Sequence, residues 1–214
     1  MVFDLDGTLV NSAPQITASL GYALQQVGRA PLEESTVMSM IGDGVPTLTA
    51  RAFEVTGGRD EILEKSVISE FHDHYREIAH TSAAYAMVPE TLEALFKAGH
   101  RLGLCTNKSA DGTSLVLKTL GIEKLFTTII NGDTLPQRKP RPEPLIEAIQ
   151  GLGYTPQQAI YIGDGPVDVA TARSAQVLMV AVSYGYARMP PDQLGADYLI
   201  HRMEDLPTLL TQIP

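Results

Sequence analysis

Six short apolar runs mark this sequence as a sheet former: residues 1–3, 101–105, 127–130, 159–162, 177–182 and 198–200. Helical patterns at 89–97, 110–120, 142–152, 168–175 and 205–212 are interleaved with the later runs. Strands that alternate with helices build βαβ units, and such units give a parallel sheet covered on both faces. The expected fold class is therefore α/β, with a doubly wound parallel sheet. Residues 13–83 break the alternation. They hold no convincing strand, only helical stretches at 14–27, 32–40, 47–55 and 61–79. Pro14 after Asn11-Ser12 suits a helix start, and Gly28 a stop. The expectation is a small α-helical unit, residues 13–83, inserted in a core domain made of residues 1–12 and 84–214. Gly57-Gly58 and residues 82–84 are its natural joints.

A chain of 214 residues suffices for one domain, or for a core with a small insert. The formal net charge of -9 argues against a nucleic-acid partner. It also means that a site for an anion must gather positive charge locally. Cys105 is the only cysteine, so no intramolecular disulfide can form. No apolar run approaches membrane-spanning length, and the first residues lack the layout of a secretion signal. A cytoplasmic protein with no membrane partner is expected, as a monomer or a homodimer.

Four segments carry chemistry. In Phe3-Asp4-Leu5-Asp6-Gly7-Thr8-Leu9, two acids two residues apart project to the same side of an extended chain. They end an apolar run, where open α/β sheets bind ligands. Two acids so close repel unless a cation or a shared proton compensates, which suggests a metal ion. In Leu104-Cys105-Thr106-Asn107-Lys108, a hydroxyl and free backbone N–H groups at a strand end suit an oxyanion. In Lys139-Pro140-Arg141-Pro142-Glu143-Pro144, prolines stiffen the chain that carries a lysine. In Tyr161-Ile162-Gly163-Asp164-Gly165-Pro166-Val167-Asp168, a strand again ends in an acid, and a second acid follows four residues on. Carboxylates there favour a hard cation such as Mg2+. Each segment alone has a plainer alternative: an Asp-Gly turn, a helix cap at Thr106, Asp164 or Asp168, or a basic proline-rich loop.

Taken in order, the four segments resemble the motifs of the haloacid dehalogenase-like hydrolase superfamily, over nearly the whole chain. The resemblance implies that Asp4 is a nucleophile that becomes a phosphoaspartate, and that Asp6 is the acid and base. It implies a phosphate cradle of Thr106, Asn107 and Lys139. It implies Mg2+ held by Asp4, Asp164 and the backbone carbonyl of Asp6, with Asp168 as a supporting acid. Many relatives have a serine or threonine where Gly165 stands. The helical insert resembles the superfamily's small cap. Asn11-Ser12-Ala13-Pro14 and Ile41-Gly42-Asp43-Gly44 resemble the phosphoglycolate phosphatase branch. The implied substrate is a small phosphorylated metabolite, first among them 2-phosphoglycolate, with Gly44 and Arg51 as candidate cap contacts. Arg51 has an equal alternative as a solvated helix residue. His72, His74 and His80 are expected at the surface or core edge, because His72 and His74 do not share a helix face. Rival functions are another small sugar phosphate as substrate, a 2-haloacid dehalogenase that needs no metal, a sugar-phosphate mutase, and a non-catalytic binding protein on the same scaffold.

Overall fold

The computed structural model describes residues 1–186 and 189–213. Its main sheet is formed by β1 (Val2–Phe3), β4 (Leu102–Cys105), β5 (Phe126–Ile130), β6 (Ile160–Gly163), β7 (Leu178–Val182) and β8 (Tyr198–Ile200). They pair in the order β5-β4-β1-β6-β7-β8, and every pairing is parallel. The chain builds outward from β1 through β4 to β5, then returns to β1's other side with β6. The strand order thus reverses at β1, and the crevice beyond its carboxyl end is where such sheets take ligands.

Period-two alternation sorts the strand side chains onto two buried faces. Phe3, Leu104, Ile162 and Val180 face one core, while Val2, Cys105, Tyr161, Met179 and Ala181 face the other. The first face is covered by α5 (Val88–Lys97), α6 (Ala110–Thr119) and α9 (Leu206–Leu210), through residues such as Leu92, Val116 and Leu206. The second is covered by α7 (Glu143–Gly151) and α8 (Pro166–Ala175), through Leu145, Ile149 and Ala172. The runs seen in the sequence are these strands, with ends shifted by a residue or so. The last helix is shorter than the pattern suggests: a 3-10 turn at Met203–Asp205 precedes it, and Thr211 and Gln212 form a turn after it.

Between residues 13 and 78 lie α1 (Ala13–Gln26), α2 (Glu34–Met38), α3 (Val45–Val55) and α4 (Glu61–Ile78). Asp60 caps α4 by accepting from the N–H groups of Ile62 at 3.0 Å and Leu63 at 3.1 Å. Leu20, Leu24, Phe53, Val67 and Phe71 form the helices' shared interior, continuous with the first core. A two-stranded antiparallel ribbon was not legible in the sequence: β2 (Val10–Asn11) pairs with β3 (Ala83–Ala84). The chain therefore enters and leaves the helical block side by side. No helix among the described residues is long and apolar enough to cross a membrane.

Leu104 is fully buried in a central strand, whereas Ile62 is 81% exposed. Leu104→Ala is expected to cost about 2–5 kcal/mol in urea unfolding. Ile62→Ala should stay within about 0.5 kcal/mol.

Candidate active site

Asp4 follows β1 directly, and its N–H donates to the Ile162 carbonyl at 2.8 Å, so the sheet itself fixes its backbone. The next residues turn back at once: the N–H groups of Leu9 and Val10 donate to the Leu5 carbonyl at 2.9 and 3.0 Å. Gly7 sits in that turn at φ +87°, against the Asp164 carboxylate, where a methyl group would overlap it. Only glycine meets both demands. Close passage of this turn brings Asp4 and Asp164 together.

Asp4, Asp164 and Asp168 are all buried and offer carboxylate oxygens within 4.8 Å of one another. Lys139 Nζ lies among them, 2.8 Å from Asp4 Oδ1, 2.8 Å from Asp168 Oδ1 and 2.9 Å from the Tyr161 hydroxyl. That hydroxyl faces both Asp168 Oδ1, at 2.9 Å, and the Cys105 carbonyl, at 3.0 Å, as acceptors. Burial opposes the Lys139 charge, but Asp168 and Asp4 outweigh it and raise the ammonium pKa above its usual value. Burial pushes the Asp4 carboxyl up to about 7, against the pull of Lys139. Burial, with Asp168 and Asp4 as neighbours, holds Asp164 well above the usual carboxylate range. Fully ionised, three carboxylates against one ammonium would carry two negative charges, which one divalent cation would offset. Carboxylate oxygens suit a hard one.

The three acids are not equivalent. Asp168 Oδ1 takes Lys139 and Tyr161, while Oδ2 accepts the N–H groups of Asp164 at 3.2 Å and Gly165 at 3.1 Å. Asp168 therefore caps α8 and steers Lys139, and its lone pairs are largely committed. Asp164 accepts from the Tyr186 N–H at 2.7 Å and the Thr8 hydroxyl at 3.2 Å. The Asp6 carboxylate is outside the cluster. It accepts from Ser12 Oγ at 2.5 Å and faces Lys108 Nζ at 3.0 and 3.1 Å. Any contribution of Asp6 to a metal must come from its backbone.

A pocket opens between these groups and the helical block. Asp4, Asp6, Thr106, Asn107 and Lys108 line it from the sheet side, and Gly44 with several apolar residues from the helical side. The Asn107 side chain does more than the sequence suggests. Its amide nitrogen donates to the carbonyls of Gly42 at 2.9 Å and Lys139 at 3.0 Å, and its oxygen accepts the Lys139 N–H at 3.0 Å. One side chain thus joins the lysine loop to the helical block. Arg51 stands apart from these groups. It does not line the pocket, because its guanidinium pairs with Asp43 at 2.6 Å and donates to the Met40 carbonyl at 2.9 Å. His72, expected at an edge, does line the pocket, and burial lowers its pKa.

Sequence reasoning also passed over Ser183-Tyr184-Gly185-Tyr186. The Tyr186 hydroxyl accepts the N–H groups of Ser12 at 2.7 Å and Ala13 at 3.0 Å, where α1 begins. Tyr184 donates to the Thr8 carbonyl at 3.0 Å and packs on Tyr85, just past β3, with ring centroids 4.7 Å apart. The segment follows a strand end, as three of the four motif segments do, and that position was the available signal.

A buried acidic cluster at a sheet switch point, completed by a lysine, defines a hydrolase-type site of a known kind. The family model for haloacid dehalogenase-like hydrolases matches residues 1–182, and the chain belongs to that family. It is 42% identical over 202 residues to a phosphoglycolate phosphatase of Rhodospirillum rubrum, covering 92% of this chain and 84% of that protein. It is 36% identical over 215 residues to one of Cereibacter sphaeroides, covering 100% and 98%. A crystal structure described as a "predicted phosphoglycolate phosphatase" from Haemophilus somnus superposes with a TM-score of 0.93. It is 33% identical, with 98% of this chain and 96% of that chain covered.

Gly7→Ala should force the Asp164 carboxylate away from Asp4. Calorimetric titration with Mg2+ is expected to show affinity lowered by at least about tenfold, the scale on which disturbed ligand positioning acts. Unchanged affinity would mean that Asp164 is not a ligand.

Proposed function

We propose that this protein is a Mg2+-dependent phosphoric monoester hydrolase acting on 2-phosphoglycolate through a phosphoaspartate on Asp4. The observation that carries the reading is the setting of Asp4: a buried carboxylate at the end of β1, 2.8 Å from Lys139 Nζ, that lines the pocket. The names of the relatives support the substrate. The acidic cluster supports a metal-assisted reaction over a metal-free dehalogenation. A cytoplasmic setting accords with a single cysteine that is buried and free.

In this mechanism the Asp4 carboxylate attacks phosphorus in line, and the bond from phosphorus to the leaving oxygen breaks. Asp6 gives a proton to that oxygen. Asp6 then takes a proton from the water that attacks the phosphoaspartate, and inorganic phosphate leaves with Asp4 restored. Lys139 offsets the repulsion between Asp4 and the incoming phosphate. Thr106 Oγ1 and the Asn107 N–H receive phosphate oxygens. When held by Asp4, Asp164 and the Asp6 carbonyl, Mg2+ supplies positive charge to the transferring phosphoryl group. Ser12 and Lys108 keep the Asp6 carboxylate aimed into the pocket. Residues 13–83 act as a cap domain on the core of residues 1–12 and 84–214, excluding bulk water when closed. The β2–β3 ribbon is its natural hinge.

Phosphate release from a panel of small phosphomonoesters, with Mg2+ and with EDTA, tests this reading. Release that needs Mg2+ and is greatest on 2-phosphoglycolate is expected, while release in EDTA equal to that in Mg2+ would refute it. Asp4→Asn should abolish turnover. Asp6→Asn should slow it by about 100- to 10,000-fold, the usual worth of general acid–base help.

A further inference from the structure

With Arg51 tied to Asp43, the cap offers no arginine to a substrate's second charge, and the pocket must find it elsewhere. Its walls are mostly apolar, with Ile16, Leu48 and Phe71 from the helical block. Lys108 is the only lysine or arginine among the described residues that line it. The side chain is 8% exposed, so its ammonium is not a solvated surface charge. Two of its contacts go to the Asp6 oxygens at 3.0 and 3.1 Å. The ammonium also lies 4.4 Å from the centroid of the Tyr75 ring, on α4. Tyr75 stabilises the lysine's charge, but no well-formed hydrogen bond joins its hydroxyl to Lys108.

That hydroxyl is the telling feature. Tyr75 is 3% exposed and lines the pocket, and beyond its approach to the Lys108 ammonium its hydroxyl has no hydrogen-bond partner among the described residues. The hydroxyl proton is therefore left for an acceptor, and a buried hydroxyl that donates to nothing is costly. An acceptor atom placed in the pocket would satisfy it.

We infer that Lys108 and Tyr75 form a subsite for a carboxylate carried by the leaving group of the substrate. The subsite rests on the phosphatase reading above and deepens it by giving the second anionic group a place. Once Asp6 carries the proton that it gives to the leaving oxygen, one ammonium and one neutral donor within apolar walls match a monoanion. A second dianionic phosphate would be left undercompensated. Lys108 comes from the sheet side and Tyr75 from α4, so a carboxylate bound here is gripped by both parts. A substrate lacking it forgoes that grip.

The test is calorimetric binding, with Mg2+ present, of 2-phosphoglycolate and of ethyl phosphate, which has the same length and no carboxylate. Asp4→Asn protein is used so that neither ligand turns over. The ratio of the two affinities isolates the carboxylate, because any disturbance of Asp6 affects both ligands. The ratio should favour 2-phosphoglycolate by about 10- to 100-fold, the range for a hydrogen bond to a charged group. Adding Lys108→Met should collapse it to near unity. Adding Tyr75→Phe should reduce it by about 2- to 10-fold, the worth of a neutral hydrogen bond. A ratio that survives Lys108→Met, a ratio near unity from the start, or no binding of either ligand overturns the subsite. Wild-type turnover of both esters reports separately. No turnover despite carboxylate-selective binding would sink the phosphatase reading alone. Turnover with a ratio indifferent to Lys108→Met would sink the subsite alone.

Discussion

A single buried ammonium holds the centre of this molecule together. Lys139 reaches from the loop after β5 to Asp4 at the end of β1 and to Asp168 on α8, at 2.8 Å in both cases. Burying such charges is expensive unless they are paired, and breaking one partner of a buried pair costs about 3–5 kcal/mol. The arrangement is therefore all or nothing. It positions the Asp4 carboxylate, but it also leaves the cluster short of positive charge once Asp164 is counted. A divalent cation would make up that deficit, as the proposed function requires.

Around this centre the hydrogen bonds connect chemistry to the helical block. Tyr186 donates its N–H to Asp164 and accepts, through its hydroxyl, the first N–H groups of α1. Tyr184 leans on Tyr85 at the other linker. Both connections of the block are thus braced by one short segment that also touches a metal-ligand candidate. Asn107 closes a second link, from the Lys139 backbone to Gly42. These ties join segments far apart in the chain around the active-site turn. They leave the pocket itself, between the sheet and the helices, as the place where a substrate enters.

The sequence carries the sheet plainly, because a parallel sheet covered on both faces needs short, mostly apolar strands, although β5 includes Thr127 and Thr128. Asp4, Thr106 and Asp164 were legible for a related reason: each stands where an apolar run stops, while Lys139 was marked by the prolines around it. What was hidden depends on contacts across long stretches of chain. Lys108 meets Asp6 across 102 residues, and Tyr186 meets Ser12 across 174. Tyr161 looks like one more core residue of β6, and only the fold shows its hydroxyl between Lys139 and Asp168. Arg51 misled for the opposite reason. Its partner Asp43 lies eight residues away on the same loop and helix, and a local pair defeats an expectation of a distant ligand. The β2–β3 ribbon is only two residues per strand, too short for any periodicity to register.

The central claim is that Asp4, and not water, makes the first bond to phosphorus. Each in-line displacement at phosphorus inverts its configuration. The most direct measurement is therefore the stereochemical course of hydrolysis of an isotopically chiral phosphorothioate monoester in isotopically labelled water, since inorganic thiophosphate can be chiral at phosphorus where inorganic phosphate cannot. Two successive displacements, through the phosphoaspartate and then water, predict net retention in the inorganic thiophosphate released. Net inversion would mean a single attack by water and would contradict the account.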